Sequence, residues 1–204
     1  MEALIAFGTT LLTLRLAGRL FARWRVRRSG ELAAWAAALL AYALASGALA
    51  WGAAAGWSSA PFRVYYLFGG LLTAPLLGVG SLLLAGRRSA LPVGLLYTGL
   101  AVGVMVAVRL TEPVAGTAIP DASEHLELFP ARALAVAGNS LGTLAVVAVA
   151  LRTLRRRPVG NTLLLTGVAV AATGSALFGT GEASTAASLA VAALLLYAGF
   201  VARR

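Results

Sequence analysis

The chain has 204 residues, 60% of them hydrophobic and 12% charged, with a mean hydropathy of +0.87. A soluble domain is about 45–50% apolar and about 25% charged, so an ordinary water-soluble globule is excluded and a polytopic membrane protein is expected. Seventeen basic residues, all arginine, against seven acids give a net charge of +10. They flank apolar segments, so the charge reads as membrane orientation and not as nucleic-acid binding.

Absences narrow the chemistry. With no Cys, disulfides, thiolate metal sites and iron–sulfur clusters are excluded. A single His rules out bis-His haem and HExxH centres. No Lys is present, which removes any retinal-type Schiff base. No cofactor and no metal are expected.

Windows of about 19 residues predict seven apolar helices in chain order, at about 3–22, 32–55, 62–85, 90–110, 131–151, 159–179 and 183–202. The expectation is an all-α, single seven-helix transmembrane domain over 1–204, since lipid offers no partner to an open strand edge. The first segment begins with Glu2 and carries its arginines after the apolar run, which is not the order of a cleaved signal peptide.

Arg23, Arg25, Arg27 and Arg28 follow span 1; Arg87 and Arg88 follow span 3. Arg152, Arg155, Arg156 and Arg157 follow span 5, and Arg203 and Arg204 follow span 7. The opposite side holds only Arg63, Arg109 and Arg132, and most of the acids. The positive-inside rule then predicts a multi-pass protein of the cell (inner or plasma) membrane, N-terminus outside and C-terminus cytoplasmic.

Pro61, Pro92, Pro130 and Pro158 stand near span starts, where a missing N–H costs nothing. Pro75 alone falls mid-span, and is expected to kink span 3 as a hinge or as a packing bend. The outer loop 111–130 is read as carrying a short amphipathic helix on the membrane surface, capped by Asp121 with Glu124, with Leu126 and Phe129 on one face. His125 among its carboxylates is too poor a ligand set for a transition metal.

Ser46–Gly52 (SGALAWG) ends span 2, and Thr173–Gly179 (TGSALFG) ends span 6. Spans 3 and 7 end in AGRR and VARR. Either these matches are chance in an Ala-rich chain, or spans 1–3 and 5–7 are parallel repeats joined by span 4, a transporter architecture. That 3+1+3 order and orientation is similar to the sugar facilitators called SWEETs in topology alone. Their proline in the first helix of each repeat is missing from spans 1 and 5, so membership does not follow.

Arg15 sits on span 1 about 12 Å deeper than Arg23. It marks either an anion or lipid-headgroup site or a long snorkel to the surface. Tyr65, Tyr66, Asn139, Thr143 and Asn161 are the other substrate-binding candidates, with Asn139 alternatively a clamp between helices. Gly99-x-x-x-Gly103 and Gly138-x-x-x-Gly142 predict close helix packing. No Asp or Glu lies within a span, against ion-coupled transport and against carboxylate catalysis. The expected function is a passive facilitator or channel for a neutral or anionic small solute or lipid. The alternative is a non-catalytic accessory subunit or ligand-sensing module. Its partners are then the bilayer, a small solute or lipid, and a second copy or another membrane subunit.

Overall fold

The computed structural model of the chain describes residues 2–176 and 182–202. Among them every regular element is helical: α1 (Glu2–Arg27), α2 (Gly30–Ala55), α3 (Ser59–Tyr65), α4 (Thr73–Leu84), α5 (Ala90–Ala107), α6 (Ala122–His125), α7 (Ala133–Arg152), α8 (Pro158–Ala176) and α9 (Glu182–Val201). α3 and α4 form one continuous rod, joined by a π-helical stretch, Tyr66–Leu72. Five helical rods are long and apolar enough to cross a bilayer: Ala3–Arg27, Gly30–Ala55, Ser59–Leu84, Ala90–Ala107 and Leu128–Arg152. The shortest, at 18 residues, spans about 27 Å. α8 and α9 carry shorter apolar stretches among the described residues, Pro158–Ala171 and Ala190–Phe200. The architecture is that of a helical membrane protein.

Sharp turns follow from single residues. Gly56 (φ 84) ends α2 and Gly86 (φ 82) ends α4, both in the left-handed region that only glycine enters without cost. α1 runs past the limit set by hydropathy to Arg27, because arginine is a good helix former and its charge suits a helix C-terminus. α5 stops at Ala107, short of the expected 110. There Val108 turns extended, and Arg63 caps the end, Nη1 donating to the Met105 carbonyl (2.5 Å) and Nη2 to that of Val108 (2.8 Å).

The outer loop departs from its predicted form. α6 is a single turn, with the Asp121 carboxylate accepting the Ser123 backbone N–H at 2.7 Å. That N–H first, then the Ser123 hydroxyl, holds the Asp121 carboxyl below its ordinary 3.8. The backbone is extended at both Leu126 and Phe129, so the two do not share a face. Leu126 is 1% exposed in the core, while Phe129 is 77% exposed.

The helices pack as a ring. α1 lies on α2, α2 on α4, α4 on α7, α7 on α8, α8 on α9, and α9 closes back on α1. α5 stands outside it, against α4. α2 is the most enclosed rod, with 72% of its apolar window buried, and α5 the least, with 22%. Two apolar clusters fill the two ends of the bundle. Trp57, Phe62, Leu71, Met105 and Leu126 belong to the one under the 111–130 loop. Leu20, Leu39, Leu77, Leu164 and Leu196 belong to the other, with Trp35 stacked on Phe200 at 4.3 Å.

Small residues decide how closely α4 and α7 approach. A Cβ on Gly78 would stand 2.7 Å from the Cα of Gly142, and one on Gly142 would stand 2.8 Å from the Pro75 nitrogen. Gly138 likewise leaves room for the Tyr97 side chain. The same spacing on α5 does the opposite of what was expected, since Gly99 and Gly103 meet nothing within 4 Å.

Candidate functional site

The site begins with a missing proton donor. In an α-helical register residue 75 would donate to the carbonyl of Leu71, and in a π register to that of Gly70. Proline donates to neither. The rod widens into π turns over Tyr66–Leu72. The backbone N–H of Thr73 reaches the Phe68 carbonyl, and its hydroxyl donates to the same oxygen at 2.7 Å. Side chains from other helices donate to both of these carbonyls. Asn139 Nδ2 donates to Gly70 O at 2.8 Å. The Tyr97 hydroxyl donates to Leu71 O at 2.9 Å, with Leu134 O 3.2 Å away. A buried acceptor left unmet costs about 1–3 kcal/mol.

Beside this widened turn lies a cavity of about 360 Å³, between α2, the α3–α4 rod, α7, α8 and α9. Its polar lining is Tyr42, Ser46, Tyr65, Thr73, Asn139 and Thr143, set among Ala, Gly, Val and Leu. Among the described residues no acidic, basic or imidazole side chain lines it. The Tyr42 hydroxyl is buried with no hydrogen-bond partner among the described residues, on a side chain only 8% exposed. Native proteins leave few such groups unmet. Tyr42 belongs to the cavity wall, but its hydroxyl is closed to a water-sized probe, so it meets a solute only if the wall shifts. Leu77 and Leu196 border the cavity and belong to the Trp35–Phe200 cluster, so the floor is apolar.

Of the residues singled out from sequence, Tyr65, Asn139 and Thr143 come together on this cavity. Asn139 serves as clamp and lining at once. Tyr66 does not join them; it stacks on Phe62 at 6.0 Å, its ring against Gly70. Asn161 lies elsewhere, 1% exposed, donating to Thr153 Oγ1 at 2.9 Å and tying the start of α8 to the end of α7. Arg15 is exposed on the outer face of α1, among Leu11 and Leu14, and not on the cavity. An inward anion site at Arg15 is not what the helix presents. Pro75 is buried against α7, directly after the widened turn.

Tyr42, Ser46 and Tyr97 were not proposed as site residues. Tyr42 and Ser46 are four apart on an otherwise Ala- and Leu-rich helix, a one-faced polar pair that could have flagged the cavity wall. Among the described residues no group of three His, Asp or Glu is placed to hold a metal. His125 is buried edge-on to Phe62, with Nδ1 3.3 Å from the Glu112 carbonyl.

No protein-family model, curated protein or solved structure matches the chain. The reading of this site therefore rests on its own geometry.

Proposed function

We propose that this protein is a passive facilitator of a small, uncharged, hydroxyl-bearing solute, held midway at the Tyr42–Asn139 cavity. The observation that carries it is a space of about 360 Å³ whose polar lining is hydroxyls and the Asn139 carboxamide, at the small end of ligand pockets. A lining of hydroxyls and one carboxamide favours a neutral solute, because no guanidinium among the described residues lines the space to offset an anion's desolvation. No intramembrane carboxylate supplies a coupling proton, so movement is downhill. We assign the cavity no catalytic step.

The reading includes seven crossings of the cell membrane, N-out and C-in, with α8 and α9 as the last two. A cytoplasm-dependent reporter fused at the C-terminus is expected to be active, and one inserted after Gly116 inactive; the reverse pattern contradicts the orientation. The ring also supports two three-helix repeats around α5. The third rod of each half meets the first rod of the other, α4 on α7 and α9 on α1, as a pseudo-two-fold arrangement requires. The sequence match at residues 177–179 and the arginines 203 and 204 lie outside the described residues.

The alternative, an accessory subunit, draws on α5, whose Gly99 and Gly103 face is open to a partner helix. Transport by the purified protein alone separates the two readings.

Tyr42→Phe keeps the ring and removes the orphan hydroxyl. Stability is expected to rise slightly, since an unmet buried donor is deleted. Flux of glycerol or erythritol into proteoliposomes is expected to fall by roughly three- to tenfold, the worth of one hydrogen bond to the solute. Unchanged flux, or a protein that loses stability, contradicts the assignment of that hydroxyl to the solute.

A further inference from the structure

At the arginine-rich end the helix termini enclose a second, larger pocket of about 760 Å³. Arg23 and Arg27 come from the last turns of α1, one helical turn apart on the same side, and Arg157 from the residue just before α8. Below them the wall is apolar: Val26, Leu32, Leu84 and Phe200, with the Trp35 ring. Glu31, at the start of α2, is the one carboxylate on the rim among the described residues. None of the three guanidiniums is engaged in an ion pair among the described residues. Arg157 spends part of its donor fork on the C-terminus of α9, giving 2.8 Å to Ala202 O and 3.5 Å to Gly199 O, and keeps the rest. Sequence distance makes this more than an orientation signal. Arg157 stands beside Arg23 and Arg27 only because the ring closes α9 onto α1.

We propose that this pocket binds the phosphate of an anionic phospholipid, its headgroup held by Arg23, Arg27 and Arg157 and its glycerol and upper acyl chains against Val26, Leu84 and Phe200. Guanidinium forks suit phosphate oxygens bidentately, and basic pockets between spanning helices at a membrane face take such headgroups. The apolar wall favours a lipid over free phosphate. Glu31 sets a preference for a headgroup that offers a hydroxyl donor beside the phosphate, such as a glycerol. This site is separate from the midway cavity and stands whether or not that cavity transports.

The test is thermal unfolding of the purified protein in neutral detergent, titrated with dioctanoyl phosphatidylglycerol, dioctanoyl phosphatidylcholine or inorganic phosphate. A saturable rise in Tm is expected with the glycerol lipid and none with the choline lipid, as for any ligand bound by the native state alone. Arg23→Gln/Arg27→Gln/Arg157→Gln is expected to weaken that response at least tenfold. Arg25→Gln/Arg88→Gln/Arg155→Gln removes the same charge outside the pocket and is expected to leave it unchanged. If the first triple variant does not fold, Arg27→Gln and Arg27→Lys replace it; both are expected to bind more weakly, with Lys intermediate. A rise with inorganic phosphate equal to that with lipid overturns the lipid assignment and leaves a phosphate site. No saturable rise with either, or equal loss in both triple variants, overturns the site.

Discussion

Gly142→Val is expected to leave little folded protein. A Cβ at this position points at the Ala74 carbonyl group and the Pro75 nitrogen, the latter 2.8 Å away. These are backbone atoms of the widened rod and cannot rotate aside as a flexible side chain would. Relief requires α4 and α7 to separate, which would also pull Asn139 from Gly70 and loosen the contact at Gly78. Overpacking commonly costs about 1–3 kcal/mol and more where backbone must move, against a total of about 5–15 kcal/mol. Gly142→Ala is expected to be intermediate. Gly103→Ala, with nothing within 4 Å, should be neutral or slightly stabilising through helix propensity. Size-exclusion profiles and melting of the three variants check the order; a well-folded Gly142→Val would mean that the α4–α7 approach is not tight.

Asn139→Leu is expected to reduce solute flux to background and to lower stability by about 1–3 kcal/mol. The leucine fills part of the cavity and removes the side-chain donor to the Gly70 carbonyl. The structural half of this effect can be separated. With Pro75→Ala, residue 75 regains an N–H able to serve the Gly70 or the Leu71 carbonyl within its own rod. Asn139→Leu should then cost less in stability in the Pro75→Ala background than in the native one. Such coupling is what shared partners produce in a double-mutant cycle, and strict additivity would contradict the account of the widened turn. Flux should stay lost in the double variant, because the carboxamide is still missing from the cavity.

The helical rods were legible because apolar runs of this length have one stable form in a bilayer, and arginine or glycine marks their ends. Pro75 was legible as a disturbance for a covalent reason, its absent N–H. Which way each rod faces was not. Helices that are apolar on all sides give no stripe to read; α1 does carry one, Arg15, Arg19 and Arg23 at four-residue spacing, and it lies on the exposed face. The two glycine motifs show the same limit. Gly138 and Gly142 meet a neighbour, while Gly99 and Gly103 on the peripheral α5 do not, though the spacing is identical. Tyr42 passed unnoticed because a single tyrosine in an alanine-rich helix reads as packing. Its meaning comes from the absence of an acceptor on the neighbouring rods, which only the assembled ring reveals. The outer loop misled because its capping signal was sound but its helix ended after one turn.

The central claim is downhill passage of a neutral solute through the protein alone. Its most direct measurement is stopped-flow light scattering of proteoliposomes after an inward glycerol, erythritol or glucose gradient, with matched empty liposomes. The prediction is faster re-swelling than in empty liposomes for the solutes that fit about 360 Å³, unaffected by collapsing the proton gradient and membrane potential, and lost in Asn139→Leu. Re-swelling equal to that of empty liposomes for all of these solutes, with correctly inserted and folded protein, would contradict it.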